Sequence, residues 1–388
     1  MNMEPRFLET ARAVASQAAR WAHEADQQRR LHHEVIQALK QSRLLDVLKP
    51  ARYGGEEGDL LTFLRIAREI ARGDASAGWI YAILGIHHWW LALADPRLQD
   101  EIWGAGEDVV FADAFPPVGE ARPTSGGYLL SGHWKFLSGV EWSEFVAVGA
   151  IAPAPDHGRP EYMMFFLPRT LYRIVDEWDV VGLRGTASNS VIVQEAFVPF
   201  YRVFPLERIA ATGQAPGHQL HSSPLYRAPF VPAICTALVA PIVGATRAAV
   251  EEFHKWVETR VPAFRTTPQK EMVSAQMLLA KSTLRVEILE REAERYAEEV
   301  MSCADHPVGE GERVRFFAWR ALLVREAITI VDDLFHAAGG HAIFSAHPLQ
   351  RIWRDVHAAA QHVALNFDTA MEGYGRTLTG SPSGIPFL

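Results

Sequence analysis

The chain has 388 residues, of which 48% are hydrophobic and 22% charged, and its formal net charge is -8 at pH 7. This length predicts two or three packed units, and the acidic balance argues against a nucleic-acid partner. Cys235 and Cys303 show neither metal nor disulfide spacing, which is typical of a reducing compartment, so we expect no metal site. The start of the chain lacks a secretory apolar segment, and no run reaches eighteen apolar residues. We therefore expect a cytoplasmic protein without a membrane partner.

The first part of the chain has the pattern of helices. Apolar residues recur at helical spacing over residues 7–48, which predicts two helices, and Leu60–Arg72 and Ala75–Ala94 predict two more. The last helix is nearly all apolar and is expected to be buried. It carries His87, and a histidine in such a helix is more often a hydrogen-bonded core residue than a catalytic one, unless the helix lines a pocket. We assign residues 1–108 to an N-terminal helical domain.

From about Val109 the pattern changes to short alternating runs separated by turns. Such runs predict an antiparallel β-barrel or sandwich of roughly ninety residues, which we assign to residues 109–215. The predicted strands are Tyr128–Phe136, Phe145–Ile151, Tyr162–Leu167, Tyr172–Val175, Trp178–Val181 and Ser190–Gln194.

After about Ala233 the helical pattern returns, and residues 216–388 are assigned to a C-terminal helix bundle. The segregation of helices and strands indicates an α+β fold. No Gly-x-Gly-x-x-Gly follows a strand, so the usual dinucleotide-binding fingerprint is missing. The predicted long helices are Thr236–Val257, Gln269–Ala304 and Arg313–Ala338, and the second carries an apolar stripe of Met277, Ala280, Leu284 and Ile288.

Residues 335–362 combine a helix end, a glycine turn at Gly339 and Gly340, and a new helix opening near Pro348. A segment of this kind can place a basic helix beside a flat, anionic ligand. The alternative is a solvated helix face that carries several histidines.

The new helix is predicted to continue as far as His362. Arg351 and Asp355 then form an i,i+4 pair, and Asp355 and His362, seven residues apart, share one face of the helix.

The order of these elements and four motifs make the chain resemble the acyl-CoA dehydrogenase fold over nearly its whole length. Within that fold, the chain is more similar to the two-component (group D) flavin-dependent monooxygenases. The first motif, Gly132-His-Trp-Lys-Phe-Leu-Ser-Gly139, resembles the family's Gly-x-Trp-x-Phe-Ala-Ser-Gly at the flavin face. It implies flavin contacts from Trp134, Phe136 and Ser138.

The second motif, Trp178-Asp-Val-Val-Gly-Leu-Arg-Gly-Thr-Ala-Ser-Asn189, is similar to the family's Trp-Asp-x-x-Gly-x-Arg-Gly-Thr-Gly-Ser, with Ala187 in place of a glycine. It implies flavin contacts from Arg184, Thr186 and Ser188. The third motif, Gly85-Ile-His87, matches a histidine of the family's substrate pocket.

The fourth motif is Leu349-Gln-Arg-x-x-Arg-Asp355 together with His362, and it matches a pattern whose histidine assists oxygen chemistry. Flavin contacts in this part of the chain are assigned to Gly339, Gly340 and Arg351. Arg260 or Arg265 matches loosely the region that binds the flavin phosphate of a neighbouring subunit. We assign this role to Arg260, the alternative being an ordinary surface arginine.

The resemblance implies the oxygenase component of a two-component monooxygenase. A separate reductase supplies reduced FMN or FAD, O2 converts it to a flavin hydroperoxide, and one oxygen atom passes to an aromatic or other electron-rich small molecule. Ser138 is then expected near flavin N5, His362 acts as an acid or base with a pKa near neutrality, and His87 orients the substrate. The resemblance also implies a homotetramer.

Two alternatives remain open. Acyl-CoA dehydrogenases of the common type carry a catalytic glutamate where this chain has Ala360-Gln-His-Val-Ala-Leu, so a dehydrogenase would need a relocated base such as Glu251 or Glu252. The other alternative is a catalytically idle flavin protein or scaffold.

Overall fold

The computed structural model describes residues 4–104, 109–156, 158–306 and 308–385, and three regions follow one another along them. A helical region is followed by a β-sheet and then by a helix bundle, which confirms the predicted α+β architecture. The first region contains α1 (Glu4–Gln28), α2 (His33–Gln41), α3 (Leu60–Gly73), α4 (Ala75–Leu91) and α5 (Pro96–Trp103).

Aspartates at the N-terminal ends of α3 and α4 determine where these two helices begin. Asp59 accepts the backbone N–H of Thr62 at 2.6 Å, and Asp74 accepts that of Ala77 at 3.0 Å. Each carboxylate satisfies a backbone donor that the first helical turn leaves free. Helix α4 is buried along almost its whole length, as predicted.

The middle region is one seven-stranded sheet with the order β5-β6-β2-β1-β3-β4-β7. The strands β1 and β3 are parallel, so the prediction of a wholly antiparallel domain was wrong for this pair. The strands are β1 (Phe111–Thr124), β2 (Gly127–Trp134), β3 (Phe145–Pro153), β4 (Pro160–Pro168), β5 (Arg173–Val175), β6 (Ser190–Pro199) and β7 (Val203–Phe204).

The predicted strand Trp178–Val181 does not form. The side-chain oxygen of Asn189 accepts the backbone N–H groups of Glu177 and Trp178, each at 3.2 Å. These donors are therefore used locally, and the β-branched residues that follow lie in an irregular loop.

The two faces of the sheet serve different cores. One face, with Phe111 and Phe166, packs against Trp90 of α4. The other face forms a separate core that contains Tyr128 and Trp134. The first face therefore brings the sheet against the helix that carries His87.

The last region surrounds a central helix, α8, which packs against α3, α4, α9, α10 and α11. The helical segment Phe230–Thr259 is long and apolar enough to span a membrane by composition, but 89% of its apolar window is buried inside the protein. The helices are α6 (Leu206–Thr212), α7 (Phe230–Ile234), α8 (Thr236–Thr259), α9 (Val273–Ser302), α10 (Glu310–Ala338), α11 (Pro348–Ala359) and α12 (Phe367–Leu378).

The apolar stripe predicted on α9 faces away from the bundle. Met277, Leu284 and Ile288 are 68%, 60% and 55% exposed in the single chain. The stripe is thus a surface feature of the protomer and not part of its core.

The described strands lie between Phe111 and Phe204, inside the range predicted for the β domain. Residue 108, at the first predicted boundary, lies outside the described residues. The second boundary, after residue 215, falls between α6 and α7. The domain limits themselves stay predictions.

Candidate active site

His362 lies in a turn and not on the helix predicted for it. Helix α11 ends at Ala359, and the Nδ1 atom of His362 accepts the backbone N–H of Ala364 at 3.2 Å at the start of a short 3-10 turn. The prediction that Asp355 and His362 share a helical face was therefore wrong. The side-chain cap starts a new turn here and ends the continuity of the helix.

The surroundings of His362 make it a neutral hydrogen-bond donor. Desolvation by the surrounding protein lowers the pKa of His362 to about 4, a shift that Asp113 opposes and Arg320 reinforces. The residue is nevertheless exposed, and water around it moderates the desolvation without reversing its direction. The expected pKa near neutrality was wrong. Because Nδ1 accepts a hydrogen bond, the neutral ring carries its proton on Nε2.

Ser138 ends a chain of hydroxyl groups between β2 and β6. Its Oγ atom lies 2.8 Å from that of Ser188, which lies 2.7 Å from Oγ1 of Thr186. Thr186 donates to the carbonyl of Leu183 at 2.8 Å. On the other side, the indole N–H of Trp79 on α4 donates to Ser138 at 3.0 Å.

The direction of every hydrogen bond among these hydroxyl groups follows from the carbonyl group of Leu183, at which the series ends. A carbonyl only accepts, so Thr186 uses its proton on Leu183, and Ser188 must donate to Thr186. Ser138 must then donate to Ser188. Trp79 occupies one lone pair of Ser138, which leaves this hydroxyl with one lone pair and no free proton. Ser138 is therefore an acceptor toward any further ligand.

Trp79 connects this chain to His362. The two rings have their centroids 6.4 Å apart, and Trp79 is 6% exposed. Ser138 and His362 thus both lie close to one indole ring.

His87 lies two turns further along α4 and pairs with an acidic residue that sequence reasoning missed. Its Nδ1 atom contacts the carbonyl of Phe111 at 2.6 Å, and its Nε2 atom lies 3.0 Å from Oδ1 of Asp113. The ring also stacks on Phe111, with centroids 4.3 Å apart. Both ring nitrogens of His87 therefore face oxygen atoms, and these two contacts fix the orientation of the ring.

The predicted flavin contacts of the first motif separate in the structure. Phe136 is 67% exposed and packs edge-on against Trp178. Trp134 is 1% exposed in the inner core of the sheet, where its indole donates to the carbonyl of Gly149 at 2.9 Å. A ligand beside Ser138 therefore has access to Phe136 but not to Trp134.

Arg184 of the second motif is a structural link to α1. Its Nε atom donates to the carbonyl of Asp26 at 2.9 Å, and its Nη1 atom donates to the carbonyl of Val180 at 2.6 Å. Its guanidinium thus holds the motif against α1. Thr186 and Ser188 contribute through the hydroxyl chain described above.

Arg260, Gly339 and Gly340 meet at the C-terminal end of α10. Gly339 has φ 72°, and a Cβ atom there would lie 2.8 Å from the guanidinium of Arg260, so only glycine fits. Arg260 donates to the carbonyl of Ala338 and thereby caps the helix. Gly340 faces open space. These three predicted cofactor contacts thus lie next to one another, although the guanidinium of Arg260 already donates to a carbonyl of the same chain.

Arg351 does not form the predicted pair with Asp355, since the ion pairs among the described residues do not include it. Asp355 instead accepts the backbone N–H of Leu183 at 2.7 Å. Burial raises the pKa of Asp355 to about 7, nearby Asp74 adds to the shift, and the Leu183 N–H and Arg351 oppose it. Through Leu183, helix α11 is joined to the end of the hydroxyl chain.

Trp79 and Asp113 are the site residues that sequence reasoning missed. Trp79 looked like one apolar residue among many in α4. Asp113 did carry a signal, because it stands between Phe111 and Phe115 on a strand face that is otherwise aromatic. A carboxylate in such a place needs a partner, and His87 is that partner.

Comparisons with known proteins agree with this architecture. Residues 3–94 match the family description "Acyl-CoA dehydrogenase, N-terminal domain", and residues 236–367 match "Acyl-CoA dehydrogenase, C-terminal domain". The flavin-dependent monooxygenase oxygenase subunit HsaA of Rhodococcus jostii (strain RHA1) is 32% identical over 93% of this chain and 95% of the relative.

Two further similarities extend the match. The oxygenase component of an FADH(2)-dependent resorcinol hydroxylase from Rhizobium sp. (strain MTP-10005) is 29% identical over 94% of this chain and 91% of the relative. The structure of XiaF from Streptomyces sp. in complex with FADH2 and glycerol has a TM-score of 0.91 and 26% identity, over 100% of this chain and 98% of that one. The chain therefore belongs to the flavin-dependent monooxygenases of the acyl-CoA dehydrogenase fold, and it is an oxygenase component.

Proposed function

We propose that the protein inserts one oxygen atom from O2 into an aromatic small molecule, using reduced FAD supplied by a separate flavin reductase in the cytoplasm. Reduced FAD is favoured over reduced FMN because the Rhizobium relative is named FADH(2)-dependent and the XiaF structure contains FADH2. The first relative is called an oxygenase subunit and the second an oxygenase component, which supports a separate reductase.

The observation that carries this proposal is the acceptor character of Ser138. The resemblance puts this residue near flavin N5, which bears a proton in reduced flavin and only a lone pair in oxidised flavin. An acceptor that cannot donate matches the N–H of the reduced form and opposes the lone pair of the oxidised form. The residues present therefore fit a reduced flavin. Ser138 would accept its N5 proton, and Phe136 would lie at the rim of the ring site.

When bound, reduced flavin supplies the electrons that activate O2. His362 then presents Nε2–H to the reacting oxygen as a fixed donor, and does not have to lose or gain a proton itself. Trp79 and Phe111 exclude water from the two ends of the proposed site, and His87 with Asp113 orients the substrate. Each of these roles is assigned to a side chain whose position depends on a hydrogen bond or a ring contact described above.

We further propose that four copies assemble and that the stripe on α9 lies in the interface. Exposed apolar side chains in a row on one helix are typical of a covered surface. The stripe runs from Val273 to Ile288, and Val273 is itself 68% exposed. Arg260, in the loop before α9, is the proposed contact to the flavin of a neighbouring subunit.

A dehydrogenase with a relocated base is not favoured. Glu251 lies in a surface pocket and hydrogen-bonds Arg72 at 2.9 Å, and Glu252 pairs with Lys255 at 2.6 Å. Glu251 is thus paired with α3 and Glu252 with a lysine of its own helix α8, so both carboxylates are held in surface ion pairs.

A screen of phenols, indoles and polycyclic aromatics, with an added flavin reductase, NADH and O2, tests the proposal. The expected result is a product heavier by one oxygen atom. A dehydrogenase would instead bleach oxidised flavin anaerobically when it is mixed with substrate alone. A protein that binds neither oxidised nor reduced flavin would be a scaffold.

A further inference from the structure

A buried arginine lies behind the turn that carries His362. Arg320, on α10, is 1% exposed, and its Nε atom donates to the carbonyl of Ala364 at 2.8 Å. The guanidinium also lies over the ring of Phe317, with its central carbon 4.5 Å from the ring centroid. A planar group that is held by both a hydrogen bond and an aromatic ring has a fixed position.

The charge of Arg320 has no balancing carboxylate among the described residues. Its Nη1 atom is buried and has no hydrogen-bond acceptor in that part of the chain. Burial raises the pKa values of Tyr296 and Cys235 and lowers that of His362, so these three side chains near the guanidinium are neutral at pH 7. A buried cation without a counter-ion costs free energy. The stability of the fold therefore does not explain why an arginine occupies this position.

Two hydrogen bonds in series connect Arg320 to His362. Arg320 holds the carbonyl of Ala364, and the N–H of the same alanine donates to Nδ1 of His362 at 3.2 Å. The second bond fixes the neutral tautomer in which Nε2 carries the proton. Leu365, at the end of the turn, is 2% exposed, whereas Val363 at its start is 78% exposed. Arg320 thus holds the middle of a turn whose first residue lies at the surface.

We propose that Arg320 is the positioning residue of His362, holding the turn that caps the imidazole and thereby keeping Nε2–H available as a donor. The inference rests on the proposed function, in which His362 donates to the reacting oxygen, and it adds a residue that acts only through His362. It also explains the choice of side chain. A rigid fork of N–H groups holds a carbonyl in one place, which an apolar side chain of similar length cannot do.

Amide hydrogen exchange of the full-length protein tests this proposal without turnover. In Arg320→Met the side chain still fills the core but cannot donate to Ala364. The amide of Ala364 should therefore exchange at least roughly tenfold faster, measured by mass spectrometry on peptides that cover residues 360–366. The melting temperature should stay the same or rise, because an unbalanced buried charge has been removed.

Arg325→Met is the matched control. Arg325 is also on α10 and also lies over a phenylalanine ring, that of Phe367 at 5.3 Å, but it is exposed. Its replacement should leave the exchange at Ala364 unchanged. Arg320→Lys is a second test variant. It keeps the cation but lacks the Nε donor and the planar group, so exchange should rise here too, and this variant decides the test if Arg320→Met does not fold.

The consequence for chemistry is measured with the substrate found in the screen. Product formed per reduced flavin consumed should fall at least roughly tenfold in Arg320→Met, because a displaced donor no longer meets the reacting oxygen. The missing oxygen should be recovered as H2O2. Arg325→Met should keep the wild-type yield.

Unchanged exchange in both Arg320 variants would overturn the proposal, as would wild-type yield from a variant whose turn exchanges faster. A fall in folded protein that accounts for the whole loss of product would also overturn it, since Arg320 would then be an ordinary structural residue. The proposed function fails separately. If no molecule of the screen gains oxygen, the monooxygenase assignment is wrong, and the exchange rates still decide whether Arg320 holds the turn of His362.

Discussion

The two ends of the proposed active site along α4 use polar groups in different ways. At the Trp79 end, Ser138 and His362 are uncharged, and each is limited to one hydrogen-bonding role, Ser138 as acceptor and His362 as donor. At the other end, about 12 Å away along α4, His87 is held between the carbonyl of Phe111 and the carboxylate of Asp113. The first end suits a cofactor whose oxidised and reduced forms differ in protonation, and the second suits a substrate that must be held in one orientation.

The largest expected effect comes from removing the donor at the cofactor end. His362→Ala should lower product formation by roughly 10²–10³-fold, the usual loss for one preorganised donor to a reacting oxygen. Reduced flavin should still be consumed, with release of H2O2. Product yield and peroxide, measured with the substrate found in the screen, check this.

His357→Ala is the control for His362→Ala. His357 contacts Asp332 of α10 at 2.9 Å, and its loss should reduce activity only in proportion to the folded fraction. Equal losses at both positions, or wild-type yield from His362→Ala, would remove His362 from the mechanism.

The next largest effect should be on assembly, which the proposed contact of Arg260 to a neighbouring subunit's flavin requires. Leu284→Glu puts a charge into the proposed interface on α9 and should convert the tetramer into smaller species at micromolar concentration, because an unpaired charge is costly to bury. Light scattering coupled to gel filtration measures this. Leu378→Glu, at a leucine of α12 that is 70% exposed, is the matched control. A wild-type monomer would end the interface proposal.

A smaller effect is expected from a variant that changes the hydrogen bond donated by Ser138. In Ser188→Ala the proton of Ser138 loses its acceptor and becomes free for the N5 lone pair of oxidised flavin. The preference for reduced over oxidised flavin should therefore fall roughly tenfold, whereas Ser138→Ala should weaken both forms. Equilibrium titration of the two flavin forms measures the ratio. An unchanged ratio in Ser188→Ala would show that Ser138 is free to donate already.

The smallest effect concerns the backbone that carries the hydroxyl chain. Ala187 has φ 44°, a left-handed conformation that is strained for alanine. Ala187→Gly should therefore raise the free energy of unfolding by about 0.5–1 kcal/mol. Ala358→Gly in α11 should lower it by about 1 kcal/mol. Calorimetric melting of both variants checks the signs, and destabilisation by Ala187→Gly would contradict the strain argument.

The fold could be predicted from the sequence because the pattern of apolar residues changes clearly between the three regions. The burial of α4 and the start of α8 at Thr236 follow from this pattern. Two errors in the predicted secondary structure have the same cause. At Trp178–Val181 the pattern favoured a strand, and after Ala359 the alanine-rich sequence favoured a continued helix. In each case a side chain, Asn189 or His362, took a backbone donor that regular structure would have used.

Only part of the candidate site could be predicted from the sequence. Ser138, Ser188 and Thr186 lie in motifs with fixed spacing, so the resemblance identified them. The partners of Ser138 and His87 are distant in sequence, because Trp79 is 59 positions from Ser138 and Asp113 is 26 positions from His87. Local sequence patterns carry no information about contacts between residues that lie so far apart in the sequence. The tautomer of His362 likewise depends on a capping contact that only coordinates reveal.

Trp79 also makes the site visible to optical methods. Its indole contacts the acceptor proposed for flavin N5, and its ring centroid is 6.4 Å from that of His362. An isoalloxazine bound at Ser138 would therefore quench the emission of Trp79 by energy transfer, and a change in the hydrogen bond to Ser138 would shift the wavelength of its emission. The chain has eleven tryptophans, so the difference between wild-type and Trp79→Phe spectra isolates this signal. Trp79 is thus an intrinsic fluorescent reporter of flavin binding. It lies beside Ser138, the residue proposed to distinguish reduced from oxidised flavin.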